Sequence, residues 1–438
     1  MNALPPNPTT SPTEIGVEMH RLMAELYPIC RSITGDGLRE SLRIIRKIIP
    51  LELREVPTGT KVFDWTVPRE WNIRDAYIKG PDGNKVVDFR QSSLHVVNYS
   101  VPFHGKMSLR ELKGHLHSIP EHPDWVPYRT SYYKENWGFC LSHRTLEGLP
   151  DGEYEVYIDS SLADGHLTYG ECFLKGETDD EVLISAHSCH PSLCNDNLSG
   201  MVLVALLAKN LQTLKRRFSY RILLGPGTIG AITWMALNEQ NVTRIKHGLV
   251  AACVGDPGNL RYKKSRRGDA DIDKAVLYVL RQSSQKYVVD DFAPYDYDER
   301  QYCSPGFNLP VGNLARTPHD RYPENHTSAD NLDFVKPEYL GDTYSKYWEV
   351  FYVLENNTRY LNTNPKCEPQ LGKRGLYGAF GGKKDANRYE VAMFWVLNYS
   401  DGHHTLLDIA EKSGFRFDVI RETATTLLEH GLLKEAGA

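Results

Sequence analysis

Four short polar clusters carry the residue types that do chemistry. The first is Ser185-Ala186-His187-Ser188-Cys189-His190-Pro191, followed at once by Cys194-Asn195-Asp196-Asn197-Leu198-Ser199-Gly200. A histidine at a strand end and an aspartate entering the next helix can converge on one point above a sheet. Imidazole nitrogen and carboxylate oxygen both suit Zn²⁺, and an aspartate can bridge two ions. The plain alternative is a histidine satisfied by hydrogen bonding and an aspartate acting as a helix N-cap. The second cluster, Val254-Gly255-Asp256, again sets an acid just past a strand. The third runs from Tyr297-Asp298-Glu299-Arg300 through Tyr302 and Cys303 to Gly306, and the fourth is Glu324-Asn325-His326-Thr327-Ser328-Ala329-Asp330-Asn331. Singly each is weak, because acids in loops are usually solvated. Four of them after successive strands have a poor bland explanation.

The elements that must position these clusters follow from the hydrophobic rhythm. Met19, Leu22, Met23 and Leu26 recur at helical spacing within Thr13–Ile33, and Leu38, Leu42, Ile45 and Ile48 mark a second helix closed by Pro50. From about Phe63, short alternating stretches between Gly, Pro and Asp turns predict a β-rich module over 64–164. From Gly170, strands at Glu181–Ala186, Tyr220–Leu224, Gly248–Val254 and Pro310–Leu314 alternate with helices at Ser199–Leu211, Ile229–Leu237, Asp271–Gln285 and Pro337–Leu354. This predicts an α/β domain, built from 1–63 and 165–363, with a mixed, mostly parallel sheet and helices on both faces. Ligands of such sheets sit at the carboxyl ends of the strands, where the clusters fall. A connector at Asn364–Lys384 leads to helical patterns at Tyr389–Leu397, Leu406–Ser413 and Asp418–His430. The last two read as helix-turn-helix, with Gly431–Lys434 opening a wing strand, so 370–438 is expected to be a winged-helix domain.

In this order, SAH, NDNLSG, VGD, DERQYCSPGFNLPVG and HTSADN, the chain resembles zinc aminopeptidases of the M28 type and their glutaminyl-cyclase relatives. It looks closest to a bacterial group of aminopeptidase-like proteins of unknown function that add an inserted β module and a C-terminal winged helix. The resemblance spans nearly the whole chain, and DNLSG and HTSADN are its most specific parts. It implies one or two Zn²⁺ ions: His187 on one, Asp196 bridging, Asp256 on the first and His326 on the second. One departure matters. After the strand through Leu224, where the peptidases place one or two Glu as base and ligand, this chain reads Gly225-Pro226-Gly227-Thr228. Glycine neither ligates nor accepts a proton, so the second metal is doubtful and hydrolysis needs another base. Losing such a base costs about 10²–10⁴-fold. Glu299 is the first substitute, because its loop resembles the peptidases' substrate-side loop, and Glu324 is the second. The plain alternative for Glu299 is an ion pair with Arg300 or Arg266. The basic run Tyr262–Arg267 follows Asp256 closely; Arg266, with Arg300 and Tyr302, is a candidate for binding a carboxylate or phosphate on the substrate. A solvated basic loop explains the run equally well.

Composition narrows the function class. The 438 residues carry 51 Lys and Arg against 56 Asp and Glu, a net charge of −5, which argues against non-specific nucleic-acid binding. No run approaches the ~18 apolar residues of a membrane span. Residues 1–14 show no basic stretch followed by an apolar core, so the eight cysteines are expected to be reduced thiols in a cytoplasmic protein, and without CxxC spacing no structural zinc ribbon is expected. Four of them, Cys189, Cys194, Cys253 and Cys303, fall among the clusters, where packing is expected before a catalytic thiol. In the presumed second helix of the helix-turn-helix, Asp418, Glu422 and Glu429 would oppose phosphates, so a packing or protein-contact role, including a homo-oligomer, is expected. Trp65, Trp71 and Trp137 are expected in the core of the β module, with cleft lining as the alternative. The expected function is metal-dependent hydrolysis of an amide in a specialised small substrate or peptide. The alternatives are a metal- or ligand-binding scaffold without hydrolysis, and a single-zinc acyl-transfer or cyclising enzyme.

Overall fold

The computed structural model describes residues 4–8, 10–376 and 386–437. The chain divides into two compact units: Pro8–Asp273 with Ser283–Lys346, and a smaller one of the residues up to Asn7, Lys274–Gln282 and everything from Tyr347 on.

The larger unit is built on eight strands: β1 Glu52–Pro57, β2 His166–Leu174, β3 Glu181–His187, β4 Ser219–Gly225, β5 Ile245–Val250, β6 Leu260–Lys263, β7 Tyr287–Asp290 and β8 Val311–Ala315. Their order is β1-β2-β4-β3-β5-β8-β6-β7. The central four, β4, β3, β5 and β8, run parallel, and the outer pairs β1/β2, β2/β4 and β6/β8 are antiparallel. Every residue of β3 is buried, as its uninterrupted Val182-Leu183-Ile184 run requires of a strand covered on both faces. Helices Pro12–Leu26, Asp36–Arg46, Ser199–Leu211 and Ile229–Leu237 flank the sheet. The fold is therefore the expected mixed α/β sheet. The order β4-β3-β5 makes the end of β3 a topological switch point, the usual place for a ligand in such sheets.

The inserted module is a four-stranded antiparallel sheet, in order Lys85–Asp88, Glu70–Lys79, Glu153–Ala163, Phe103–Ser108. It has a core of its own around Ala76, Ile78, Phe139, Tyr154, Val156 and Ile158. Trp71 is buried, donating its indole N–H to the Ser100 carbonyl at 2.8 Å, and Trp137 stacks on His115 at 3.7 Å; Trp65 is exposed against Tyr133. The module also returns to the larger sheet. Tyr128 N–H donates to the His326 carbonyl at 2.7 Å and Ser328 N–H to the Val126 carbonyl at 2.8 Å, so its loop is stitched to the HTSADN segment.

In the C-terminal unit, helices Ala386–Tyr399, Leu406–Ser413 and Phe417–Glu429 accompany a three-stranded sheet. Thr405 caps the second helix reciprocally with Asp408, and Gly414, at φ 72°, makes the left-handed turn between the helices. The wing strand Leu433–Glu435 pairs with Arg359–Asn362, which also pairs with Asp401–Thr405. The reading that kept 359–363 in the α/β domain is thereby corrected: the winged-helix sheet needs that segment as its central strand. Of the connector read at Asn364–Lys384, the part from 377 lies outside the described residues. Two further strands differ from the sequence reading. Leu260–Lys263 opens what read as a basic loop, and Tyr287–Asp290 lies between the helix expected at Asp271–Gln285 and the strand expected at Pro310–Leu314, where no strand was read.

Candidate metal centre

The site forms where the chain leaves the central parallel strands. His187 is the last residue of β3. After it, the chain folds into an irregular turn, Cys194–Leu198, in which Asp196 (φ −112°, ψ 83°) and Asn197 are non-helical and joined by a cis peptide. The Asn-Leu-Ser-Gly that follows is explained by contacts. Asn197 donates to the Ala251 carbonyl at 2.9 Å and accepts the Gly200 N–H at 3.2 Å, which ties the turn to the end of β5. A Cβ at Gly200 would stand 2.2 Å from the Ala251 carbonyl oxygen, so only glycine lets the helix start there.

Asp196 is wholly buried, and four histidines surround it. His187 Nε2 lies 2.8 Å from Asp196 Oδ1; His326 Nε2 and His319 Nδ1 lie 3.0 and 3.6 Å from Oδ2. The His190 ring stands 4.9 Å from that of His187 and 5.1 Å from that of His326, centre to centre. Two sets of donor atoms result, each within 4.8 Å of one another: His187, His190 and Asp196, and Asp196, His319 and His326. Burial by itself would raise the Asp196 carboxyl; His190, His187, His319 and His326 outweigh it and hold it well below the carboxylate range. Burial keeps His190 neutral, as a metal ligand must be. His319 is raised: desolvation lowers it, and Asp196 more than compensates. His319 Nδ1 and His326 Nε2 are buried without a well-formed hydrogen bond, despite their closeness to Asp196. Nitrogens aimed at a shared carboxylate and left unsatisfied fit a divalent cation such as Zn²⁺.

Three of the expected ligands, His187, Asp196 and His326, thus come together. Asp256 does not. Its carboxylate accepts Asn195 Nδ2 at 3.0 Å, Gly258 N–H at 2.7 Å, and the Thr317 N–H and hydroxyl at 3.1 and 2.6 Å. Four donors saturate it, and its work is to hold the Asp196 turn through Asn195. His190 and His319 are the residues that the motif reading passed over. His190 sits inside the first quoted cluster, three residues after His187. His319, in a loop after β8, has no motif to signal it.

Glu299 is not at the histidines either. It is fully buried, and Lys263 Nζ lies 2.5 Å from its Oε1. The expected partners Arg300 and Arg266 are replaced by a lysine on β6. Burial raises the Glu299 carboxyl and Lys263 opposes the rise. Arg266 reaches Asn308 at 3.2 Å, and Arg300 is half-buried. Tyr302 is buried with its hydroxyl 3.0 Å from Ser185 Oγ. Glu324 is half-buried, and its carbonyl accepts from Thr327. Asp298, one residue before Glu299, is buried too: burial pushes its carboxyl up to about 7, against the opposing pull of His187. All eight cysteines are free, and burial pushes the Cys189 thiol up to about 12, which leaves it a poor nucleophile. A cleft lined by Tyr128, Arg129, Thr130 and Tyr132 opens onto His190 and His326.

Comparison with known proteins places the family and the fold. A family model described as a domain of unknown function, DUF4910, matches residues 20–357, and one for a winged helix-turn-helix matches 358–435. A protein of Clostridium acetobutylicum, provisionally named a polysaccharide biosynthesis protein with an aminopeptidase-like domain, is 55% identical over 424 residues, 96% of this chain and 97% of its own. A crystal structure from the same species, provisionally named a peptidase, superposes with a TM-score of 0.92 at 54% identity, covering 97% of each chain. A zinc aminopeptidase from Bacillus subtilis shares the fold, with a TM-score of 0.57 at 12% identity, over 78% of this chain and 95% of that one. Among the described residues, no helix is long and apolar enough to cross a membrane.

Proposed function

The chain belongs to the DUF4910 family, joined here to a winged helix-turn-helix domain, and on that footing we propose that it is a metal-dependent amide hydrolase of aminopeptidase ancestry. The observation that carries this reading is the convergence of His187, His190, His319 and His326 on the buried carboxylate of Asp196. In it, His187, His190 and Asp196 would hold one Zn²⁺, and Asp196, His319 and His326 would hold a second. When bound, zinc supplies Lewis-acid polarisation of a carbonyl. The protein's own part is positioning. Asn197 and Asp330 fix the Asp196 turn, Tyr128 packs its ring 5.1 and 5.2 Å from those of His190 and His326, and the cleft beside Tyr132 admits the substrate.

The substrate in this reading is a specialised small amide, because Gly227 removes the acid expected of a broad aminopeptidase. The Clostridium relative's name adds amides of sugar metabolism to the candidates. The winged helix serves protein contact in this account. Its second helix presents Asp418, Glu422 and Glu429, and Arg416 is already paired with Asp418 at 3.1 Å.

Gly227 also favours a second reading, a metal-binding protein that has lost hydrolysis. The deciding experiment is zinc reconstitution followed by a screen of aminoacyl nitroanilides and N-acetylated amino sugars. Zinc with turnover supports the hydrolase. Zinc without turnover supports the second reading, and failure to bind zinc removes both.

A further inference from the structure

The space that a side chain at position 227 would enter is already in use. A Cβ on Gly227 would lie 3.0 Å from the Cβ of His187 and 3.8 Å from Oδ1 of Asp298. A carboxyl from a different loop thus stands on the same side of His187 that the missing acid would approach. Asp298 is 3% exposed, and its Oδ1 has no hydrogen-bond partner. It precedes the short helix Glu299–Tyr302, but its side chain does not cap it. It borders a small interior cavity together with Ser185, Leu223, Trp234 and Tyr302.

A buried carboxyl oxygen without a partner costs free energy and calls for an explanation. The neighbouring acids already have theirs. Glu299 is paired with Lys263, Asp256 is saturated by four donors, and Asp330 accepts the backbone of Asn195 and Asp196. Asp298 is the acid beside His187 with a free oxygen.

We propose that Asp298 is the proton-transfer residue of this site, supplying from the loop before β8 the carboxyl that Gly227 cannot. The assignment rests on the amide-hydrolase reading. In the step, water adds to the amide carbonyl carbon and gives one proton to Asp298 Oδ1. That proton passes to the leaving nitrogen as the C–N bond breaks. Asp298 ends as it began, and the acid and amine produced together equal amide plus water.

The test uses the full chain, reconstituted with Zn²⁺, on the best substrate of the screen above. Asp298→Asn keeps the shape and removes the proton acceptor. Expected are unchanged zinc stoichiometry by calorimetry, an unchanged KM, a melting temperature at or above that of the parent, and a kcat lower by about 10²–10⁴-fold. Asp298→Ser, smaller and neutral, must show the same split. A kcat within threefold of the parent overturns the assignment, as does loss of zinc, which would make Asp298 a ligand. Failure of both variants to fold overturns it too, since Asp298 would then be structural. A parent that binds zinc but turns over nothing overturns the hydrolase reading and this assignment with it. An active parent with an equally active Asp298→Asn overturns only the assignment.

Discussion

Asp330 holds Asp196 from behind: its carboxylate accepts the Asp196 backbone N–H at 3.0 Å and that of the adjacent Asn195 at 2.6 Å. The Asp of HTSADN therefore anchors the turn of DNLSG, and the two motifs are halves of one device. Asp330 reaches no ion itself in this account; it fixes the residue that does.

Asp330→Asn tests that role. Asparagine keeps one carbonyl oxygen and turns an NH₂ towards a backbone N–H. The expected result is a zinc affinity about 10–100-fold weaker, as for other partners that orient ligands from behind. Calorimetric titration of Zn²⁺ into metal-stripped protein reads it directly.

The two overlapping donor sets make different demands on the outer histidines. His319→Ala should remove the ion shared by Asp196, His319 and His326 and leave the other. His190→Ala should weaken the ion on the His187 side. Stoichiometry by native mass spectrometry separates the two, and unchanged zinc content in both variants would show that neither histidine is a ligand.

Lys263 and Glu299 form a buried ion pair, with both side chains under a tenth exposed. Lys263→Met leaves Glu299 charged and uncompensated, and should cost about 3–5 kcal/mol of stability. Chemical denaturation measures it. Changing both residues, Lys263→Met with Glu299→Leu, should recover much of the loss. Were Glu299 a base rather than a structural partner, the double variant would be stable yet inactive.

His247 on β5 gives a pH signature away from the histidine centre. Burial depresses it to about 4, and its ring packs edge-on against Phe218 at 5.0 Å. An unfolded histidine takes up its proton near 6.5. Between these values the unfolded chain binds more protons than the folded one, so stability is full above pH 6.5 and falls as pH drops towards 4. Melting temperatures of metal-free protein from pH 7 to 4.5 should fall less steeply in His247→Gln than in the parent.

Much of this architecture is legible in the sequence because burial and period coincide. Helices Ser199–Leu211 and Ile229–Leu237 lie where apolar spacing puts them, and β3 reads as a strand because it is buried on both faces. Edge elements are the opposite case. The β7 strand Tyr287–Asp290 is half exposed, and Tyr262-Lys263 on β6 hides in a basic run, so neither shows a hydrophobic period. At the site, motif order locates His187, Asp196 and His326 but not the geometry among them. His319 is brought in by a long loop after β8, and Tyr128 by the inserted module, both through contacts that no local pattern encodes. Asp256 illustrates the converse. An acid after a strand is a good guess at a ligand until Thr317, Gly258 and Asn195 are seen to use all of its oxygen capacity.

Asp196 is the carboxylate on which the proposed histidine metal centre depends. The direct measurement is a calorimetric titration of Zn²⁺ into metal-stripped full-length protein, parent beside Asp196→Asn. The expected result is tight, saturable binding by the parent and its loss in Asp196→Asn, with the variant still folded by circular dichroism. Absence of binding in the parent, or binding of equal strength in Asp196→Asn, would contradict it.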